Sequence, residues 1–382
     1  NTLVEIKPSE LASNSIVDLA RQSDCFQFVP YLDDPEIPSA ILSLDPFLEA
    51  DPSFDTDDFY PVLVDQFHRD GQVWGIPAGV QPYVIEYNQD LFDAAGLEYP
   101  EANWTLDDFL RLAQHLTHGE ADDKQYGFVG TYEMLDLMMF VERLGGQILD
   151  DAQDPVAAAF ADTATVEAIE WYANLYLLYG AKPIFVTDEE RDALIDSGQA
   201  AMWATPFDRH DALRSGILPF PQGTSDSASP VVYSSGYFIS AQAAAPQACW
   251  EWIKFLTTET SVVQGFPARR SVATSDAYRQ QVGTERATVY LTSVEGSQRP
   301  SVFQRIAGQE WLGAYLVWLE QAYKQIVEEG MLPEEALAIA QDKADDYRAC
   351  VIASESINAP SGYRECMNQV NQADSVSPSE MP

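Results

Sequence analysis

Basic residues are scarce in this chain. Its 21 lysines and arginines face 60 aspartates and glutamates, a net charge of -39 over 382 residues. Such a surface repels nucleic acid and anionic membranes by the same electrostatics that draw basic proteins to them, so neither is expected as a partner. The acidic residues are spread along the chain without a block of like charges, which reads as a solubilising surface rather than an interaction tail. Self-repulsion at this charge predicts a monomer.

Long apolar runs are missing too. No stretch reaches the roughly 18 consecutive apolar residues of a membrane span, and the opening Asn1-Thr-Leu-Val-Glu-Ile lacks the charged and apolar regions of a signal peptide. The expectation is a soluble chain, with any export signal or lipid-modified cysteine lying upstream of residue 1.

Cysteine is confined to Cys25, Cys249, Cys350 and Cys366, with no CxxC pair, which argues against a zinc ribbon or a thioredoxin-type site. Cys350 and Cys366 sit close together in a polar C-terminal stretch. A disulfide there would staple a short tail in an oxidising compartment, with free thiols the alternative. Cys25 and Cys249 fall beside apolar residues and are expected as buried small hydrophobes. The four histidines are scattered; His115 and His118, near one another at a helix end, read as a solvated terminus rather than a metal site. GxSxG, HExxH, the P-loop lysine motif and a GxGxxG after a strand are all absent. No metal, cofactor or enzymatic activity is therefore expected.

What is present is ample core. With 46% hydrophobic residues in 382, the chain should build two lobes at about 100 to 200 residues each. Aromatics at 12%, including 8 Trp and 18 Tyr, leave rings to line a concave site. Leu3 to Ile6 and Cys25 to Val29 read as strands around a helical Ala12 to Arg21, an alternation that predicts a parallel sheet. Further strands are expected at Gln72 to Pro77, Gln81 to Asn88, Tyr126 to Val129, Ala200 to Ala204 and Val231 to Ser240. Asp90 to Gly96 ends on a glycine C-terminal signal, and Thr105 caps the helix that follows, with Asp108 in its first turn. Helices are also expected over Glu133 to Leu144, Thr163 to Tyr179, Asp188 to Ser197, Pro246 to Thr257, Gln309 to Glu329 and Pro333 to Ala349.

Four segments then carry a resemblance. Gly71-Gln-Val-Trp-Gly-Ile-Pro77 with Val84-Ile-Glu-Tyr-Asn-Gln-Asp-Leu-Phe92 comes first, and Ala94-Ala-Gly-Leu97 leading to Asn103-Trp-Thr-Leu-Asp-Asp-Phe109 second. Asp196-Ser-Gly-Gln-Ala-Ala-Met-Trp203 is the third. Ser234-Ser-Gly-Tyr-Phe-Ile-Ser240, followed by Ala248 to Thr257, is the fourth. In their shared order and spacing they resemble the maltose-binding-protein-like family of extracellular solute-binding proteins that serve ABC importers.

That resemblance implies an α/β, two-lobed periplasmic-binding-protein-like fold with crossing hinge strands. The family begins with a strand and a helix before the segment that Leu3 to Ile6 resembles, so the first strand and helix are expected to be missing. The implied lobes are residues 1–80 plus 232–290 and residues 81–231 plus 291–352, with 353–382 as a polar tail. Gly79 and Gly236 are the expected hinge positions on the crossing segments, with ordinary strand glycines as the alternative reading.

A sugar cleft combines planar hydrogen-bonding side chains with aromatic platforms. Tyr31, Asp33 and Asp34 follow a strand at the carboxyl edge where open α/β sheets bind ligands. Gln81 and Tyr83 lie on a crossing strand, Gln81 replacing a carboxylate that the family uses. Glu133, at a helix start, resembles another such carboxylate. Phe207 stands where the family commonly has a sugar-stacking tryptophan, with Arg209 nearby, and Tyr233, Tyr237 and Trp311 complete the set. The implied function is extracytoplasmic capture of a small solute, a sugar or oligosaccharide, and its delivery to the permease subunits of an ABC transporter, in the periplasm or as a cell-surface lipoprotein. A sensor or docking module that kept the fold but lost transport is one alternative. A glycoside hydrolase, needing one carboxyl pair across a sugar cleft, is the other.

Overall fold

A computed structural model describes residues 15–30, 32, 34–205, 213–225, 231–263, 265–297 and 299–373. The chain divides into two compact units, Asn1–Pro82 with Val231–Leu291, and Tyr83–Pro230 with Thr292–Pro382.

The first unit is built on a four-stranded sheet. Its strands run in the order Cys25–Phe28, Val231–Ile239, Ile76–Pro82 and Phe266–Pro267. Every pair in it is antiparallel. The parallel pairing expected from the opening alternation involves Leu3 to Ile6, which lie outside the described residues. Cys25–Phe28 pairs with a strand more than two hundred residues later that runs the opposite way, setting Phe26 beside Phe238. Leu3 to Ile6 and most of the helix expected from Ala12 lie outside the described residues.

The helix Ile16–Gln22, with Ser15 accepting from the Asp18 amide at 3.1 Å, turns Ile16, Val17, Leu19 and Ala20 onto this sheet. There they join Phe26, Phe28, Phe67, Trp74 and Phe238 in one apolar cluster. At about 25 cal/mol per Å² of apolar surface, burial of this kind dominates the stability of the unit. On a second helix, Pro246–Leu256, Trp250 packs against Phe54 with ring centroids 4.8 Å apart.

Cys25 and Cys249, expected as free buried thiols, form a disulfide that ties the first strand to this helix across 224 residues of sequence. Connectivity of this kind is invisible in spacing. The strand Val231–Ile239 pairs with Cys25–Phe28 and leads straight into the helix, and this brings the two sulfurs together.

The second unit has a three-stranded antiparallel sheet with Val84–Asn88 at its centre, between Met202–Thr205 and Ser215–Pro219. Tyr126 and Val129 add parallel bridges to Ala200 and Trp203. Around it lie the expected helices: Gln89–Ala95 ending at Gly96 with φ +65°, and Leu106–His115 with a Thr105–Asp108 capping box. Thr163–Leu177, Asp188–Asp196, Gly313–Glu328 and Pro333–Ala353 follow.

The stretch expected to be a polar tail instead contains a helix, Pro360–Ala373. Cys366 is bonded to Cys350, and the Trp318 indole donates to Asn371 at 2.9 Å. Tyr363 and Cys366 are buried while the rest of the helix is largely exposed, so a polar composition hid a docked element.

Candidate functional site

The richest polar constellation lies in the second unit, where the parallel-bridged segment ending at Val129 turns into the helix Glu133–Arg143. This is the carboxyl edge of a strand followed by a helix N-terminus, where aligned peptide dipoles favour negative charge. Glu133 occupies the first helical position.

Its carboxylate accepts a hydrogen bond from Lys182 at 2.7 Å. The lysine side chain is 1% exposed and the glutamate 12%, so the glutamate is the less buried partner. Dehydrating a lysine costs several kcal/mol unless a partner and further favourable contacts offset it. Both are present: Glu133 at its tip, and the face of Tyr172 with its ring centroid 4.9 Å from the ammonium. The Tyr172 hydroxyl itself is buried without a hydrogen-bond partner among the described residues.

One helical turn on, Asp136 points back into the same region. It accepts hydrogen bonds from the hydroxyls of Thr131, at 2.8 Å, and Tyr83. Gly130 is what lets it do so, because a Cβ there would stand 1.9 Å from the Asp136 carboxylate. Burial pushes the Asp136 carboxyl up to about 7, against the two hydroxyl donors that favour its charged form; Glu133 pushes the same way as burial and Lys182 opposes it. Burial, and then the Asp136 charge, also drives the Tyr83 hydroxyl well above its ordinary value.

Of the other sequence candidates, Asp34 and Gln81 belong to the first unit. Asp34 uses its carboxylate to accept the Glu36 amide at 2.8 Å and so fixes the turn into a short helix. Gln81 is half-buried, opposite Tyr233 in register, with Gly265 beneath it at φ +82°; a Cβ there would sit 2.5 Å from the Gln81 side-chain oxygen. Tyr31, Asp33, Phe207 and Arg209 lie outside the described residues, as does the side chain of Tyr233.

Three aromatic candidates are buried beside other rings. Tyr83 has no exposed surface and meets Phe220 edge-on at 5.1 Å, its hydroxyl already given to Asp136. Tyr237 is buried against Trp252 at 5.6 Å, and burial pushes its hydroxyl up to about 12. Trp311 lies buried beside Tyr315 and Tyr347, and its backbone carbonyl accepts from the Tyr347 hydroxyl at 2.7 Å. Each of the three is enclosed by neighbouring side chains. Gly236 is explained by close approach, since a Cβ there would come within 2.0 Å of the Phe67 ring, at a register shift in its strand. Gly79 pairs with Ser235 and Pro267 in the same sheet.

Sequence reasoning missed Lys182, Asp136 and Tyr172. A signal existed for the first two. Asp136 interrupts an otherwise apolar Leu135-Asp-Leu-Met-Met-Phe140, and Lys182 stands in Ala181-Lys-Pro-Ile-Phe185 within a chain poor in bases. A charged residue inside an apolar run implies a buried partner.

Residues 27–262 match the model of a family described as bacterial extracellular solute-binding protein. A mannitol-binding protein of Pseudomonas aeruginosa is 24% identical over 246 residues, 63% of this chain and 53% of that protein. The chain thus spans about half the length of this curated relative. Among solved structures, an ABC substrate-binding protein from Listeria monocytogenes in complex with cycloalternan superposes with TM-score 0.70 at 20% identity, over 85% of each chain. A solute-binding protein from Agrobacterium vitis S4 with bound D-mannitol gives 0.66 at 18% identity, over 86% of each. These two likenesses establish the fold.

Proposed function

Because the chain belongs to the bacterial extracellular solute-binding protein family, we propose that it captures a small polyhydroxylated solute, a sugar or sugar alcohol, and hands it to an ABC importer. The family match over residues 27–262 carries this reading. The family is one of binding proteins, so capture leaves the solute unchanged and the hydrolase alternative falls away.

Binding stabilises the conformation for which the solute has the higher affinity. Glu133 supplies a hydrogen-bond acceptor, and Gln81 and Asp34 supply further polar contacts. Tyr31, Asp33, Phe207, Arg209 and Tyr233 complete the lining. Gly79 absorbs part of the backbone rotation. A mannitol-binding relative and a D-mannitol-bound structure of the same fold favour a sugar alcohol or monosaccharide. The protein works outside the cytoplasm as a monomer, either free or anchored to the cell surface, and its two disulfides fit an oxidising compartment.

Equilibrium dialysis against labelled D-mannitol, ribitol, D-glucose and maltose, with recovery of the solute, tests this. Saturable retention of one of them, recovered intact, is the expected result. Retention of none, or recovery of a cleaved product, contradicts it.

A further inference from the structure

Lys182 is an odd residue to bury. It is one of only 21 basic residues in the chain, its side chain is almost wholly withdrawn from water, and it donates to a glutamate that is the less buried of the two. A fold that needed only packing here would use an apolar side chain, because replacing a buried ion pair by apolar residues is often neutral or stabilising.

The charged groups of this corner are Glu133 and Asp136 from the helix and Lys182 from the segment after Thr163–Leu177, together with the hydroxyls of Tyr83, Tyr172 and Tyr323. Lys182 cancels Glu133 at 2.7 Å. Asp136 is buried under two hydroxyl donors and held toward its neutral form. Glu133 therefore presents an acceptor oxygen whose charge is matched by the ammonium beside it.

We propose that Lys182 is a positioning residue that fixes the Glu133 carboxylate and cancels its charge, so that the site takes uncharged polyhydroxylated solutes and rejects amino sugars and sugar acids. This rests on the reading of Glu133 as a ligand contact. A carboxylate in this state accepts hydroxyl hydrogen bonds while an incoming ammonium finds no unpaired anion and an incoming carboxylate meets an acceptor it cannot bond.

The test is calorimetric titration at pH 7 with two matched triples: D-mannitol, 1-amino-1-deoxy-D-mannitol and D-mannonate; then D-glucose, D-glucosamine and D-gluconate. The wild type should bind the neutral member of at least one triple, with its charged partners at least about tenfold weaker. Lys182→Met should move the amine-to-neutral affinity ratio up by about tenfold or more, and Glu133→Gln should move the acid-to-neutral ratio up comparably. The Lys182→Met/Glu133→Gln double variant should bring both ratios back to within about threefold of wild type.

A structural role for Lys182 alone would weaken all three ligands together and leave the ratios where they were. Unmoved ratios in folded variants overturn the proposal while leaving the solute-binding reading intact. If the wild type binds neither neutral solute, both are overturned. Should Lys182→Met fail to fold, Glu133→Gln, which keeps the side-chain shape, and the double variant decide the matter through the same ratios.

Discussion

The two units solve the burial of charge in opposite ways. In the first, Arg269 lies against the rings of both Phe54 and Phe59 at 4.5 and 4.3 Å with Asp58 beside it, and Asp51 meets Lys254 at 2.7 Å where both remain partly exposed. Lys254 and Ser53 hold the Asp51 carboxyl well below the usual range. The interior behind them is apolar, and a disulfide spanning 224 residues locks it. In the second unit the ionisable groups are themselves interior: Lys182 behind Glu133, and Asp136 under Tyr83 and Thr131. Both units carry a disulfide, but the one in the first spans 224 residues and the one in the second 16, and the second also holds a buried carboxyl raised to about 7 near a helix start.

The sharpest way to break this comparison is reduction. In the loop-entropy account, losing Cys25–Cys249 through Cys25→Ser/Cys249→Ser should cost about 5 kcal/mol, against about 3 kcal/mol for Cys350→Ser/Cys366→Ser, which closes a short loop. Scanning calorimetry of the two variants checks the order, and a larger loss in the second would remove the contrast.

Next in size is the pH dependence of the second unit. The Asp136 carboxyl is raised from 3.8 to about 7, so the folded state holds a proton that the unfolded chain has released. Its contribution is fully present below about pH 4 and is lost as pH rises toward 7, a change of a few kcal/mol. Asp51 has the opposite sign, its contribution present above its ordinary value of 3.8 and lost as pH falls through and below it. Urea unfolding from pH 5 to 8 should show stability falling with pH in the wild type and a shallower slope in Asp136→Asn. An unchanged slope in the variant would place the titrating group elsewhere.

Two smaller effects sharpen the picture of each frame. Gly236→Ala forces a methyl into the Phe67 ring and should cost about 2 kcal/mol by overpacking the first unit. Thr105→Ala removes the capping box of Leu106–His115 in the second and should cost about 1 kcal/mol. Chemical denaturation measures both, and a Gly236→Ala protein as stable as wild type would show that Phe67 yields freely.

Local signals made much of this architecture legible. Thr105 and Asp108 announced a helix start that the structure bears out, and Gly96 announced a helix end. The long periodic segments Thr163–Leu177, Pro246–Leu256 and Pro333–Ala353 stand within a few residues of where spacing puts them. The pairing of Cys25–Phe28 with Val231–Ile239 was not legible, because the two strands lie more than two hundred residues apart. The pairing of Cys25 with Cys249 was hidden for the same reason, being a consequence of that sheet.

At the site, Glu133 was visible as a carboxylate at a helix start, but its buried partner lies 49 residues on and shares no motif with it. For Tyr83, Tyr237 and Trp311 the sequence shows the ring but not its neighbours, which here are Phe220, Trp252 and Tyr347.

The central claim is capture of a neutral polyhydroxylated solute, and thermal unfolding at pH 7 tests it most directly. D-mannitol, ribitol, D-glucose, maltose and a set of amino acids are added in turn at high excess. A ligand that binds only the folded state should stabilise it by about 2.7 kcal/mol at a hundredfold excess over Kd. A clear upward shift with a sugar or sugar alcohol, and none with the amino acids, is the predicted result; a response confined to amino acids, or no response to any of them, would contradict it.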